Sequence, residues 1–120
     1  FFGIDVSKYA KKNAHKEVAK NIKILNASSR YPFKKKYFDL VISMNTLHNL
    51  EINDLKESLN EISRVGKKSY IVVESFRNNI ELFNLQCWAL TCKSFFSKDE
   101  WIWIFKEFKY LGDFEFIYFK

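Results

Sequence analysis

The strongest indication of how this chain folds is the stretch Phe38-Asp-Leu-Val-Ile-Ser-Met-Asn-Thr-Leu-His-Asn-Leu50. Its apolar run, Leu40 to Ile42, is bounded by polar residues, which is typical of a strand buried on both faces of a parallel sheet. The run gives way to a polar cluster made of Ser43, Asn45, Thr46, His48 and Asn49. Open α/β sheets bind ligands just beyond the carboxyl ends of their strands, so this cluster is placed to meet a ligand. A loop that only needs capping and turn residues would have the same composition, and this stretch alone leaves both readings open.

The composition is that of a folded domain. At 120 residues the chain can form one domain with a hydrophobic core, and we take residues 1–120 as a single domain. Its 48% hydrophobic and 18% aromatic content excludes a disordered chain. Phenylalanine occurs 13 times, which predicts a core rich in aromatic contacts.

The charge and the cysteines bear on partners and location. The net charge is +6, but the lysines are scattered and their densest run is Lys34 to Lys36, which favours a solvated basic surface over a nucleic-acid interface. No apolar run reaches membrane length and no signal peptide is visible, so no membrane partner is expected. Cys87 and Cys92 lack the neighbours of a zinc site or a secreted disulfide framework. We therefore expect no metal, reduced thiols and a cytoplasmic protein.

Buried strand runs alternate with amphipathic helical patterns, which predicts an α/β fold. The expected strands are residues 2–6, 22–25, 40–42, 70–73 and 114–119, and the expected helices are 8–20, 53–65, 79–92 and one that begins at 97. Ser97 and Glu100 have the spacing of a capping box, and Gly66 is placed to end a helix in the left-handed conformation.

Apolar spacing predicts the buried helix faces. Ala10, Ala14 and Val18 recur every four residues, and so mark the buried side of the first helix. The helix 79–92 is apolar on several faces, with Ile80, Phe83, Cys87 and Leu90 in one stripe. Such a helix is either deeply buried or covers a site or a partner. Trp101, Ile104, Phe105 and Phe108 predict an aromatic core face on the last helix.

Three segments resemble one family in order and spacing. Tyr37 to Leu50 is similar to the fourth-strand segment of class I S-adenosylmethionine-dependent methyltransferases. Gly3-Ile-Asp-Val-Ser7 resembles the end of that family's second strand, and Asn26-Ala-Ser-Ser-Arg-Tyr-Pro-Phe33 resembles a segment that usually reads Gly-Asp-Ala followed by Leu-Pro-Phe. The resemblance covers residues 2–74 well and the rest more loosely.

The expected fold is a Rossmann-like three-layer sandwich with a mostly parallel sheet and an antiparallel last strand. In the family, the first strand lies between the second and the fourth and ends in a glycine-rich loop. This chain has only three glycines and no such loop. The resemblance therefore implies that the first strand and its loop are missing, and that the chain is part of a longer protein.

The resemblance also implies a site for S-adenosylmethionine. Asp5 would accept hydrogen bonds from the ribose hydroxyls, and Val6 would pack on the adenine. Asn26 stands where the family commonly has Asp, and would accept from the adenine amino group through its carbonyl oxygen. Ala27 would contribute backbone groups to the ring edge, and Asn45 would lie near the methionyl part. Asp5 and Ser7 could equally be helix-capping residues.

Five further residues are candidates for binding the methyl acceptor or for removing a proton from it. His48 and Glu74 are candidate catalytic bases, since a histidine titrates near neutrality and both follow predicted strands. Arg77 could hold an anionic substrate group, and Trp88 and Thr91 could line the acceptor pocket. Three of them have a structural alternative: His48 as a helix-entry residue bonded to backbone, Arg77 in a surface ion pair, and Trp88 in the core.

The sequence leaves three classes of function, of which the segment Asn26–Phe33 and the loop Leu47-His-Asn-Leu50 favour the first. The first is transfer of a methyl group to a small molecule, such as a precursor of a sugar or surface polysaccharide. The second is another nucleotide-binding enzyme, such as a nicotinamide-dependent reductase, because an acid at the second strand end serves both cofactors. The third is a non-catalytic binding module, which the missing glycine loop supports.

Overall fold

The computed structural model describes residues 1–120. In chain order its elements are β1 (Gly3–Asp5), α1 (Lys8–Asn13), α2 (Lys16–Ala19), β2 (Ile22–Ile24), β3 (Phe38–Met44), a 3-10 turn (Leu47–Asn49), α3 (Ile52–Val65), β4 (Gly66–Ser75), α4 (Asn79–Trp88), α5 (Lys98–Glu107) and β5 (Asp113–Tyr118). The predicted alternation of strands and helices is confirmed.

The five strands form two separate sheets. β1 pairs with β2, and β3, β4 and β5 form a second sheet in that order. All the pairings are parallel. The α/β class with a mostly parallel sheet is therefore confirmed.

The last strand does not run antiparallel as we expected. β5 pairs with β4 in parallel register, from Tyr70 opposite Asp113 to Ser75 opposite Tyr118. The reason lies in the connection, which contains both α4 and α5. A crossover of that length returns the chain to the starting end of the sheet, so the next strand enters in the same direction.

The main core lies between α3, α5 and one face of the larger sheet. Its fully buried members include Leu55 and Leu59 from α3, Ile71 from β4, and Trp101 and Phe105 from α5. Ser97 and Glu100 form the capping box that begins α5. The predicted aromatic core face of this helix is confirmed, and it places large rings against the sheet.

β3 is buried on one face only, which corrects the expectation of a strand covered on both. Leu40, Ile42 and Met44 are 52%, 57% and 59% exposed. These residues alternate with Val41, which packs against the core. The helices that follow β3 pack on the core face, and nothing in residues 1–120 covers the other face. The sandwich therefore has two layers at β3 instead of three.

β1 and β3 are not hydrogen-bonded to each other. Side-chain packing joins the two sheets instead, because Ile4 and Leu25 lie against the main core. The rings of Phe2 and Phe38 also meet, with centroids 5.8 Å apart. The two edges are thus left unpaired, where the resemblance implied a strand between them.

The predicted helix 8–20 is two short helices. Ala14 is extended, with ψ 155°, and the side chain of His15 accepts the Glu17 N–H to cap α2. Ala10 is exposed, and Ala14 and Val18 are only half buried. A helix that buries so little apolar surface gains little from tertiary packing, so a local cap suffices to interrupt it.

Gly66 ends α3, but not in the left-handed conformation we predicted. Its φ is −101°, and it is also the first residue of β4. A Cβ at this position would lie 2.8 Å from Val41 Cγ2 and 2.9 Å from the Lys68 carbonyl oxygen. Glycine is needed here for space and not for a positive φ.

The predicted helix 79–92 ends at Trp88, and its apolar stripe faces outward. Ile80, Phe83 and Leu90 are 72%, 65% and 89% exposed, and Cys87 is exposed. The buried residues of α4 are Glu81 and Leu85. Of the two roles we gave this helix, deep burial is wrong.

Candidate functional site

Asp5 stands at the carboxyl end of β1 with one oxygen committed. Its Oδ1 accepts the Ser7 N–H at 2.7 Å, and the Ser7 hydroxyl accepts the Ala10 N–H at 3.0 Å to cap α1. The other Asp5 oxygen takes part in no hydrogen bond, and the side chain is exposed. The following residue, Val6, is 66% exposed. Asp5 therefore caps locally while keeping one acceptor available.

Asn26 and Ala27 lie beside Asp5, because the Leu25 N–H donates to the Asp5 carbonyl oxygen at 3.0 Å. The Asn26 Oδ1 already accepts the N–H and the hydroxyl of Ser28, both at 2.9 Å. The side-chain oxygen of Asn26, which we expected to accept from the adenine amino group, therefore already accepts two hydrogen bonds from Ser28. The side-chain NH₂ of Asn26 and the backbone N–H of Ala27 make no hydrogen bond in this structure.

Asn45 follows β3 in the left-handed region, with φ 53°. Its N–H donates to the Val72 carbonyl oxygen at 2.9 Å, which holds it against β4. Asparagine tolerates this conformation better than most residues. The backbone of Asn45 is thus fixed at the carboxyl end of the sheet, where the resemblance put the methionyl part, and its side chain is exposed.

His48 and Glu74, the two candidate bases, are brought into contact. His48 Nε2 lies 3.2 Å from Glu74 Oε2, and the Glu74 backbone N–H donates to His48 Nδ1 at 3.5 Å. The two residues are only 3% and 8% exposed. This arrangement fits the tautomer with the proton on Nε2, and it leaves neither ring nitrogen free to take a proton from a substrate.

Burial favours the neutral form of each partner. It lowers the pKa of His48 below its usual value and raises the pKa of Glu74 above its usual value. The His48 carbonyl oxygen also accepts the N–H groups of Lys93 and Ser94, both at 3.0 Å. His48 therefore ties the 3-10 turn to β4 and to the loop after α4, which supports its structural alternative.

Arg77 is engaged within the chain. Its guanidinium donates to Glu81 through Nε at 3.1 Å and Nη2 at 2.5 Å, and it stacks 4.1 Å from the centroid of the Tyr118 ring. These hydrogen bonds lower the pKa of Glu81, so the pair is charged at neutral pH. The ion-pair alternative is what the structure contains, and Arg77 has little capacity left for an anionic substrate.

Trp88 and Thr91 lie at the surface near the end of α4. Trp88 is 69% exposed, so the core alternative is wrong for this residue. Its ring lies 5.7 Å from that of Phe119, beside an open hollow of about 300 Å³. The Thr91 hydroxyl donates to Asn49 Oδ1 at 2.9 Å. The hollow at Trp88 does not reach Asp5, Asn26 or Asn45.

The sequence analysis missed a buried polar cluster on α3. Glu61 is 7% exposed and accepts from Arg64, while Ser58 is fully buried and donates to the Ala27 carbonyl oxygen. A signal was present, because Ser58 and Glu61 flank the apolar stripe of Leu59 and Ile62. A carboxylate at the edge of a core face must be paired, and a partner three residues on is within reach.

No helix of the chain is both long enough and apolar enough to cross a membrane. The structure also has no cluster of three or more His, Cys, Asp or Glu side chains arranged to hold a metal ion.

Comparison with known proteins gives a family. Residues 1–73 match the family described as "Methyltransferase domain". The human protein "Arginine-hydroxylase NDUFAF5, mitochondrial" is 30% identical over 87 residues, which are 72% of this chain and 25% of that protein. The mouse protein of the same name is 31% identical over 86 residues, 72% of this chain and 24% of its own length. The chain thus spans about a quarter of these relatives, and no solved structure matches it significantly. Because the family match covers more than half of its residues, this chain belongs to the methyltransferase domain family.

Proposed function

We propose that the protein carrying this chain is an S-adenosylmethionine-dependent methyltransferase that acts on a small-molecule acceptor. The observation that carries the proposal is the family match over residues 1–73, which includes Asp5, Asn26, Ala27 and Asn45. These residues lie at or just beyond the carboxyl ends of β1, β2 and β3, where ligands of parallel sheets bind. The cofactor and the acceptor are both part of the proposal.

The residues present fit the cofactor in part. The free oxygen of Asp5 can accept from a ribose hydroxyl, and the free N–H of Ala27 can donate to a ring nitrogen of adenine. Asn26 fits less well, because its Oδ1 is occupied, so its NH₂ group is what it can offer. S-adenosylmethionine would supply a methyl group already activated by the sulfonium charge. The chain's part is then to orient the two reactants and to exclude water.

Proton removal from the acceptor requires a base that can reach it. His48 and Glu74 are buried against each other, and His48 can act as a base only if its ring turns out of this contact. Their contacts support a structural role, in which the two residues hold the 3-10 turn beside the end of β4. A catalytic role for either residue stays a prediction.

The name of the human and mouse relatives supports a second candidate function. It describes a hydroxylase of arginine, so a chain of this kind could act on an arginine side chain. In place of methyl transfer, one oxygen atom of O₂ would then enter a C–H bond, while a reductant supplies two electrons and the second oxygen atom leaves as water. The same name contains "mitochondrial", whereas we expected a cytoplasmic protein from its reduced cysteines. The location also stays a prediction.

The proposal is tested on the full-length native protein by calorimetric titration with S-adenosylmethionine and with nicotinamide dinucleotides. Saturable binding of the first alone supports the methyltransferase, and binding of the second alone supports a reductase. Binding of neither supports a non-catalytic module. Mass spectrometry of candidate sugars and arginine peptides after incubation then separates the chemistries, since methylation adds the mass of CH₂ and hydroxylation the mass of one oxygen.

A further inference from the structure

We propose that Glu61, with Arg64 and Ser58, positions the segment Asn26–Phe33 for recognition of adenine, an inference that rests on the proposed function. We call residues 26–33 the recognition segment. It leaves β2 of the smaller sheet and leads to β3 of the larger one. The three α3 residues bind it to the helix that is packed on the larger sheet.

Glu61 holds the recognition segment at the backbone of Tyr31. Its Oε2 accepts the Tyr31 N–H and Arg64 Nη2, both at 2.6 Å, and its Oε1 accepts Arg64 Nε at 2.8 Å. Hydrogen bonds to a charged acceptor are about twice as strong as neutral ones. The same contacts lower the pKa of Glu61, with the Arg64 hydrogen bonds as the largest cause, so the carboxylate stays ionised.

Arg64, on the same helix as Glu61, also binds the recognition segment. Its Nη2 donates to the Tyr31 carbonyl oxygen at 2.9 Å, and its Nη1 donates to the Phe33 carbonyl oxygen at 2.7 Å. Tyr31 is therefore held through both its N–H and its C=O. A planar guanidinium with several donors in fixed directions fixes orientation as well as distance.

Ser58 and Tyr31 then fix the peptide group that follows Ala27. The Ala27 carbonyl oxygen accepts the Ser58 hydroxyl and the Tyr31 hydroxyl, both at 2.7 Å. Burial raises the pKa of Tyr31 to about 12, so this hydroxyl remains a donor. The N–H of Ala27 belongs to the neighbouring peptide group, and it makes no hydrogen bond and stays available just after β2.

Because the strands form two separate sheets, the contacts of the recognition segment with α3 affect the geometry of the cofactor site. β1 and β2 share no backbone hydrogen bond with the larger sheet. The distance from Asp5 and Ala27 to Asn45 therefore depends on apolar packing and on the contacts of the recognition segment with α3. A ligand that spans both sheets would bind only if this distance is right.

Stability alone is a poor explanation for the cluster. Replacing a buried ion pair by apolar residues of similar volume is often neutral or stabilising, so burial of Glu61 is weak evidence of a purely structural role. The directional contacts to Tyr31, Phe33 and Ala27 are what apolar residues could not provide. This favours positioning as the role of the cluster.

The test compares Glu61→Gln with Glu57→Gln in the full-length native protein. Glu57 is an exposed residue of the same helix, and its side chain makes no hydrogen bond, so its variant controls for the loss of charge. Affinities for S-adenosylmethionine and 5′-methylthioadenosine are measured by calorimetry below the unfolding temperature of each variant. We expect Glu61→Gln to lose about tenfold in affinity for both ligands, equivalent to about 1.4 kcal/mol. Glu57→Gln should bind as the unaltered protein does.

Failure of the proposed function and failure of the positioning role of Glu61 give different results in this test. If the unaltered protein binds neither ligand, the proposed function fails. If it binds both, and a folded Glu61→Gln binds equally well, only the positioning role is overturned, whatever the variant's melting temperature. If Glu61→Gln does not fold, Ser58→Ala decides, because it removes one bond to the Ala27 carbonyl oxygen. A loss of about threefold is then expected from one hydrogen bond, and unchanged affinity overturns the inference.

Discussion

At the scale of single residues, Asp5 offers the most direct test of the cofactor site. We expect Asp5→Ala in the full-length protein to remove about 1.5–3 kcal/mol of S-adenosylmethionine binding, the range for hydrogen bonds to charged groups. The variant also loses the bond to the Ser7 N–H, so Asp5→Asn, which can keep that bond, belongs beside it. Asp39→Ala, which removes an exposed carboxylate from β3, is the control. Unchanged affinity by calorimetry in Asp5→Ala would show that the assignment is wrong.

The buried His48 makes a second residue-scale prediction, on pH. Because burial lowers its pKa in the folded state, the unfolded chain binds a proton that the folded chain does not as the pH falls below about 6.5. The free energy of unfolding should therefore decrease on acidification through this range, by up to about 1.4 kcal/mol per pH unit. Glu74 acts in the opposite direction at lower pH, since its raised pKa means that the folded state takes up the proton first.

Urea unfolding at a series of pH values checks the His48 prediction. His48→Asn should lose this part of the pH dependence, and His15→Asn, which changes an exposed histidine, should keep it. An identical slope in His48→Asn and the unaltered chain would contradict the assignment.

What the sequence reveals about single residues is where they stand along the chain, and not what they touch. Asp5 ends β1 and Asn45 follows β3, as predicted, because an apolar run that ends in polar residues marks a strand end. Nothing in the sequence around Arg77 shows that Glu81 and Tyr118 occupy its guanidinium. The exposure of Trp88 depends on which face of α4 meets the sheet, and a helix that is apolar on several faces leaves that undetermined.

At the scale of elements, the junction of α3 and β4 depends on Gly66. We expect Gly66→Ala to cost roughly 1–3 kcal/mol, the usual effect of overpacking, because the added Cβ would crowd Val41 and the Lys68 carbonyl oxygen. Gly3→Ala is the matched control, since its Cβ would meet only Ile22 Cγ1 at 3.7 Å. Chemical denaturation of the two variants measures the difference, and equal stabilities would refute the close approach at Gly66.

Elements with a strong local signal were predictable, and those settled by distant packing were not. The capping box of α5 and the buried run of β4 are local patterns, and both are present. The break between α1 and α2 arises because neither helix buries a full face. The direction of β5 follows from the long crossover before it, which its alternating residues do not encode.

At the scale of the whole molecule, the recognition segment connects two sheets that share no hydrogen-bonded strands. The family resemblance could predict that β1 and β3 lie apart, since it implies a strand between them. The resemblance could not show what holds β1 and β3 in place relative to each other. In the sequence, Glu61 and Arg64 have the spacing of an ordinary ion pair on a helix surface. The site is therefore more dependent on α3 than its own residues suggest.

The last prediction concerns residues 1–120 on their own. β1 and β3 each have an unpaired edge, and Leu40, Ile42 and Met44 leave an apolar face open to water. Unpaired edges and exposed apolar surface favour association with other chains. We therefore expect residues 1–120 alone to self-associate and to bind S-adenosylmethionine weakly or not at all, because the parts of the site lie on two sheets that no shared strand holds in register. Sedimentation and calorimetry test this, with Ile42→Lys expected to reduce association by charging the open face, and Glu57→Lys as a control on an already polar surface. Tight, saturable binding and methyl transfer by a monomer of residues 1–120 would contradict it.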